Sequence, residues 1–358
     1  MKKILYLSYR TDLLGSAQSV NSQRRIIALE KAGFHVIQFI HSPSSVIKDT
    51  LHLLWLLFTV DCINIRIDGS NILDKFTLLK GIRWGIKIVW EIHGFPEENN
   101  SSVNQKAYIL NLIKRNIKQR LLSTLVDRYI FVSPELQQYA LGKIALKKCV
   151  VISNFVLSSE ITELSKKPHT PVATYLNHSG YFKVVWAGNT KLSWQAVDKI
   201  ERVAKLTYTK DRSIIFIIIG SDDQSLPKWN KNILTLGRLS RQNTLRIIAH
   251  ADACLALYHK PPYVPFYFVP LKILDYMMLK KPIIATNTST IRSLIQNTQN
   301  GLLTENATSD IISKLLLLKN NSKFSKKLGS QAFRSVISKH LSNRAIASYQ
   351  FFLSSLFK

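Results

Sequence analysis

Tyr267-Phe268-Val269-Pro270-Leu271-Lys272-Ile273-Leu274-Asp275-Tyr276-Met277-Met278-Leu279-Lys280-Lys281-Pro282-Ile283-Ile284-Ala285 reads as a helix, Leu271–Leu279, leading into a short strand, Ile283–Ala285. Pro270 stands where the helix should begin. Proline suits the first turn because its missing N–H is not needed there. The next free N–H groups, near Leu271 and Lys272, point out of the helix end, and with the Lys272 charge they form a ready anion site. Asp275 lies one turn further on. A carboxylate repels phosphate but accepts hydrogen bonds from sugar hydroxyls, so a ribose next to a bound phosphate is its expected partner. The plainer alternative is an amphipathic helix with an exposed aspartate.

Outward from this stretch the same rhythm continues in both directions. Val184–Ala187, Ile214–Ile219, Ile233–Leu236 and Cys254–Leu257 read as strands, with helices over Trp194–Leu206, Thr244–Ala249 and Ser309–Leu318. In the first half Ile4–Leu7, Val36–Ile40, Ile63–Ile67, Ile86–Ile92, Tyr129–Val132 and Val150–Ile152 read as strands. Ser19–Ala32, closed by Gly33, and Leu51–Phe58 read as helices. Strands alternating with helices predict parallel βαβ units. Residues 157–181 are polar and without periodicity, and read as a linker. The expected fold is α/β: two Rossmann-like domains facing a cleft, over 1–165 and 182–335, with 336–358 a C-terminal helix. Ligands in such sheets sit beyond the carboxyl ends of the strands. Dehydrogenases, epimerases and periplasmic binding proteins share this rhythm, so the fold alone does not give the function.

The motif residues do more. Pro270-x-Lys272-x-x-Asp275-Tyr276 resembles the donor-binding segment of the retaining family-4 glycosyltransferases, which have the GT-B fold. In that family two Glu flank seven residues. Here Tyr267 stands at the first Glu position, Asp275 at the second, and Lys280 replaces a Gly. Val150–Asn154 resembles the segment closing the first domain, and Val184–Gly188 the strand and glycine opening the second. The family has Gly-Arg there, and a Lys seven residues after the Gly. This chain has Asn189 and Gln195, with Lys191 the nearest cation, either a diphosphate ligand or a plain surface lysine. Asn232–Ser240, with Gly237, resembles the turn that cradles the base, and Gly15 the first-domain glycine that lets backbone approach the phosphates. Phe333–Phe352 resembles the final helix that crosses back to the first domain. In Trp90-Glu91-Ile92-His93-Gly94-Phe95, His93 takes the place of a histidine beside the donor sugar, where it can bond the sugar or stabilise developing charge. A buried structural histidine is the alternative.

The resemblance implies a nucleotide-sugar donor bound by Gly15, Gly188, Lys191, Gly237, Leu271, Lys272 and Asp275, with His93 catalytic and no metal or other cofactor. It also implies transfer, with retention, to a saccharide or lipid-linked acceptor in surface-polysaccharide assembly. A nucleotide-sugar epimerase of the same fold and a basic nucleic-acid-binding protein are the rivals. No nucleic-acid recognition motif is present, so nucleic acid is not an expected partner.

Composition bounds the rest. At 358 residues and 46% hydrophobic content the chain is globular and suggests two domains. Its three cysteines lie far apart, which fits a reducing cytosol. Met1–Leu7 reads as a strand entrance and no apolar run approaches the ~20 residues of a membrane span. A cytoplasmic protein, or one held at the inner face of a membrane, is expected. The net charge of +27 attracts phosphates, whether on a small ligand, anionic lipid or nucleic acid. Lys106–Leu125 is a basic amphipathic candidate for an anionic membrane surface, and 51–58 a second. Either can equally be a domain helix with a solvated face.

Overall fold

A computed structural model of the chain describes all residues except 9–16, 41–45, 67–77, 95–119, 122, 142–143, 145–147, 164–179, 222–227 and 260–268. Gly15, Tyr267 and most of the Lys106–Leu125 stretch therefore lie outside the described residues. The chain forms two compact units, the first made chiefly of Met1–Asn154 with Ser342–Lys358, the second of Phe155–Phe266 with Pro270–Leu341.

The first unit is a parallel six-stranded sheet. Its elements are β1 (Lys3–Ser8), α1 (Ala17–Lys31), β2 (His35–Ile40), α2 (Val46–Thr59), β3 (Cys62–Arg66), β4 (Lys87–Ile92), β5 (Arg128–Phe131), α3 (Pro134–Ala140) and β6 (Lys148–Val151). The strand order is β2-β1-β3-β4-β5-β6. Strands covered on both faces are buried throughout, and β3 and β5 are buried at every residue, Asn64, Arg66 and Arg128 included. The order reverses between β1 and β3, whose last residues Ser8 and Arg66 are register partners. Such a switch point opens a crevice at the carboxyl ends.

The second unit begins with α4 (Ser158–Glu163) and β7 (Phe182–Ala187). There follow α5 (Val197–Lys210), β8 (Ile214–Ser221), β9 (Lys228–Asn230), β10 (Ile233–Gly237), α6 (Arg241–Ala249), β11 (Ala253–Ala256), α7 (Leu271–Met278), β12 (Ile283–Thr286), α8 (Ser289–Leu294), β13 (Leu302–Thr304), α9 (Thr308–Asn320) and α10 (Ser322–Lys339). The order β13-β12-β11-β7-β8-β10-β9 puts the switch point between β7 and β11; only β9, at the edge, is antiparallel. Val184, Trp186, Ile200, Phe216, Leu255 and Leu315 fill the core beneath it.

The structure departs from the sequence reading in several places. Part of the expected linker, Ser158–Glu163, is helical. Glu160 accepts the Leu157 N–H at 2.9 Å, half of a capping box, but one and a half turns carry too little periodicity to show in the sequence. The helix expected from Trp194 starts at Val197, because Ser193–Gln195 forms a 3-10 turn and Ala196 is left-handed at φ +48°. Pro270 is the cap of α7 rather than part of its first turn. The expected final helix is two, α10 and α11 (Ser342–Ser354), and α11 packs in the first unit.

Candidate functional site

In the second unit the side chains converge where β7 ends. Tyr276 reaches back from α7 so that its hydroxyl accepts the Ala187 N–H at 3.1 Å. The helix is anchored by burial of Ile273, Leu274, Tyr276, Met277 and Met278, at roughly 1.5–3 kcal/mol for each large side chain. Its N-terminus thus faces the switch point. Pro270 offers no side-chain cap, so the first-turn amides remain available to an anion.

Lys272 is the charge at that end. Its ammonium donates to Gln195 Oε1 at 2.6 Å and lies 4.2 Å from the centre of the Trp186 ring and 5.4 Å from that of Tyr258. Burial pushes its pKa well below the usual lysine range, and no carboxylate counters the shift. Among the described residues the cation is therefore held by neutral groups alone, and an anion would compensate it. Gly188 makes room for it: a Cβ there would stand 2.7 Å from Lys272 Nζ and 2.8 Å from the Trp186 ring. Gly220, at φ +107°, runs so close that its own Cβ would stand 1.9 Å from the Gly188 carbonyl oxygen.

Asp275 is buried at 6% exposure and sits in the fork of Arg241, with Nη1 to Oδ2 at 2.5 Å and Nη2 to Oδ1 at 2.7 Å. Nη2 also donates to Glu160 Oε1 at 3.2 Å. Burial opposes the Arg241 charge, but Asp275 and then Glu160 outweigh it and hold the guanidinium firmly ionised. The aspartate is thus not the exposed residue of the plain-helix alternative. Both carboxylate oxygens are engaged by Arg241, which fixes the orientation of the group. Gly237 ends β10 at a register shift against β8, four residues before Arg241. Lys191 is exposed, its N–H held by Asn189 Oδ1 at 3.0 Å.

His93 lies in the first unit, one residue past β4, at the carboxyl end of the sheet. Glu91, two residues back and on the same strand face, puts Oε1 2.6 Å from His93 Nε2. Arg25 Nε meets the same oxygen at 2.9 Å, and Arg25 also donates to Tyr349 at 2.6 Å and to the Ile152 carbonyl at 2.9 Å. Burial raises the Glu91 carboxyl, but Arg25, His93 and Arg66 outweigh it and hold it at about 2. Burial, then the Arg66 charge, lowers His93 to about 3. The histidine is therefore neutral at physiological pH. An ionised Glu91 can only accept, so Nε2 carries the hydrogen and Nδ1 is the acceptor nitrogen. In that tautomer the 3.1 Å approach of Arg66 Nε to Nε2 is a packing contact rather than a hydrogen bond.

The structure thus gathers Gly188, Leu271, Lys272 and Asp275 around one helix end, and places Lys191 on the surface. It adds residues the sequence reading did not assign: Trp186, Gln195, Gly220, Tyr258 and Arg241 around α7, and Arg25, Arg66 and Glu91 around His93. One signal was in reach, since a Glu two residues before a strand-end His must share its face.

Residues 181–321 match the family described as Glycosyl transferases group 1. That span covers the second unit's sheet and helices α5 to α9. No curated protein matches the chain by sequence. Solved structures match it over its length. HepE from Anabaena, solved in complex with UDP-glucose, is 14% identical with a TM-score of 0.71, covering 99% of this chain and 100% of its own. Sucrose-phosphate synthase from Thermosynechococcus elongatus is 12% identical with a TM-score of 0.75, covering 100% and 99%. A glycosyltransferase from Rickettsia africae is 17% identical with a TM-score of 0.67, covering 98% of each. The fold is α/β, the GT-B architecture of these glycosyltransferases.

Proposed function

We propose that this chain is a glycosyltransferase that moves a sugar from a nucleotide-sugar donor to a saccharide or lipid-linked acceptor, with retention at the anomeric carbon, in surface-polysaccharide assembly. One observation carries the reading: the part-buried Lys272 ammonium, at a helix N-terminus and switch point, has only neutral partners among the described residues, at 2.6 Å from Gln195 and 4.2 Å from Trp186. A diphosphate is the ligand whose charge and oxygens complete that arrangement. The group 1 family match over the same unit and the UDP-glucose bound to HepE support it.

In this reading the α7 amides and Lys272 hold the diphosphate beside the bare backbone of Gly188 and stabilise its charge as the glycosidic bond breaks. Asp275, oriented by Arg241, accepts from the ribose. Gly237 and its turn cradle the base, and Lys191 takes a secondary place by the diphosphate. His93, neutral and fixed by Glu91, offers Nδ1 near the anomeric carbon, where it bonds the sugar and steadies developing positive charge. The leaving group is supported by Lys272 and the helix end, so no metal is assigned a role. The protein works in the cytoplasm or at the inner face of the membrane.

The test is thermal. A ligand that binds only the folded state stabilises it by about 2.7 kcal/mol at a hundredfold excess over Kd. UDP or GDP should raise the melting temperature in EDTA, and turnover of the matching nucleotide sugar should need an acceptor. No shift with any nucleoside diphosphate contradicts the donor site. Conversion of the sugar without an acceptor points to an epimerase.

A further inference from the structure

A helix lying on a soluble sheet normally turns its apolar face inward and its polar face to water. Helix α2 shows apolar side chains on both. Leu56 and Leu57 are buried at 2% and 1%, whereas Leu51, Trp55 and Phe58 are exposed at 63%, 63% and 64%. At about 100° per residue the three exposed residues fall within roughly 60° of arc, opposite the buried pair. They form a stripe rather than scattered single residues. Trp84 extends it. It is 78% exposed and follows Arg83, whose Nη1 donates to the Leu57 and Val60 carbonyls at 2.6 and 2.8 Å at the C-terminal end of α2. Trp55 and Trp84 are the only tryptophans among the exposed large hydrophobic side chains of the described residues.

We propose that the outer face of α2, with Trp84, is a docking surface for an anionic lipid bilayer. Two arguments choose this occupant. Tryptophan and phenylalanine on one stripe suit the headgroup–acyl boundary, where an amphipathic ring is half in water. The charge of +27 draws the chain to an anionic surface and sets two copies of it against each other, which disfavours self-association through the same stripe. The helix lies in the interface. Among the described residues no helix is long and apolar enough to cross a membrane. Charge supplies attraction from a distance and the stripe supplies the short-range hold, so both are needed for firm binding. The inference does not rest on the transferase reading.

The experiment is co-sedimentation with vesicles of phosphatidylcholine alone and of phosphatidylcholine with about a third phosphatidylglycerol. The probes are the full chain and the Trp55→Ser/Phe58→Ser variant, with Leu206→Ser as a control exposed in the second unit. We expect wild type to bind the anionic vesicles, to leave neutral ones in solution, and to lose binding as salt screens the charge. The double variant should lose at least tenfold in partitioning at an unchanged melting temperature, because its side chains are already exposed, and Leu206→Ser should bind as wild type. Equal binding by the double variant overturns the proposal. So does a wild-type dimer that the double variant breaks, which assigns the stripe to a second copy. Retention on duplex DNA stronger than on the anionic vesicles at physiological salt overturns it in favour of nucleic acid.

Discussion

Replacing Lys272 with methionine should change stability and ligand affinity in opposite directions. In the unliganded protein the ammonium gains a hydrogen bond to Gln195 at 2.6 Å and a place 4.2 Å over Trp186. The first contributes about 1.5–3 kcal/mol and the second about 0.5–2 kcal/mol. Against them stands the desolvation of an ammonium, which costs several kcal/mol. Burial alone pushes Lys272 downward, and the desolvation cost is expected to be the larger side. Methionine keeps a similar stem and removes the charge, so the free variant should melt at or above the wild-type temperature. With a nucleoside diphosphate the sign reverses. Losing a charge-assisted bond to phosphate costs about 1.5–3 kcal/mol, which weakens Kd roughly 10- to 150-fold. Differential scanning fluorimetry with and without UDP or GDP reads the first effect, and titration calorimetry the second. A variant that melts well below wild type and binds the nucleotide unchanged would make Lys272 a structural cation instead.

Other outcomes follow from the same geometry. Gly188→Ala should abolish nucleotide binding in calorimetry and lower the melting temperature, since its Cβ would stand 2.7 Å from the Lys272 ammonium and 2.8 Å from the ring of the fully buried Trp186. Asp275→Ala should raise donor KM by an amount matching about 1.5–3 kcal/mol, whereas His93→Ala should lower kcat with little change in nucleotide Kd; the reverse pattern in kinetics and calorimetry would exchange their roles. Arg25→Met should lower the denaturation midpoint by the equivalent of about 3–5 kcal/mol, because it leaves Glu91 charged and buried without its partner. Acid should destabilise the first unit as pH falls from about 6.5 to 3. Both Glu91 and His93 hold folded values, about 2 and about 3, below their ordinary 4.5 and 6.5, so the unfolded chain takes up more protons across that window. The midpoint measured against pH should show this slope, and His93→Gln should flatten it.

What could be read in the sequence follows from how local each signal is. Strands buried on both faces leave near-continuous apolar runs, and β1 and β8 were legible for that reason. Gly33 marks the end of α1 because a left-handed residue is needed there, and its φ is +92°. Short elements were not legible. The three-residue strands β9 and β13 and the six-residue α4 are fixed by their neighbours, not by their own pattern. In the site, Lys272 and Asp275 could be found because the helix start is written within six residues, Pro270 to Asp275, and Gly188 because it follows the apolar run of β7. Their partners could not. Gln195 meets Lys272 across 77 positions of sequence, Arg241 meets Asp275 across 34, and Arg25 meets Glu91 across 66. Such pairs are made by the sheet order, which brings β7 and α7 together only in the folded chain. The sequence also misleads at Asp275. A lone acid on an apolar helix looks solvated until Arg241 is seen to cover it.

The central claim is that the second unit holds a nucleoside diphosphate at the start of α7. A crystal structure of the protein with UDP or GDP, grown in EDTA, tests it most directly. Phosphate oxygens should lie about 2.7–2.9 Å from Lys272 Nζ and within reach of the Leu271 and Lys272 amides, with the ribose beside Asp275. A diphosphate bound elsewhere, with Lys272 still on Gln195 and the α7 N-terminus bare, would contradict it.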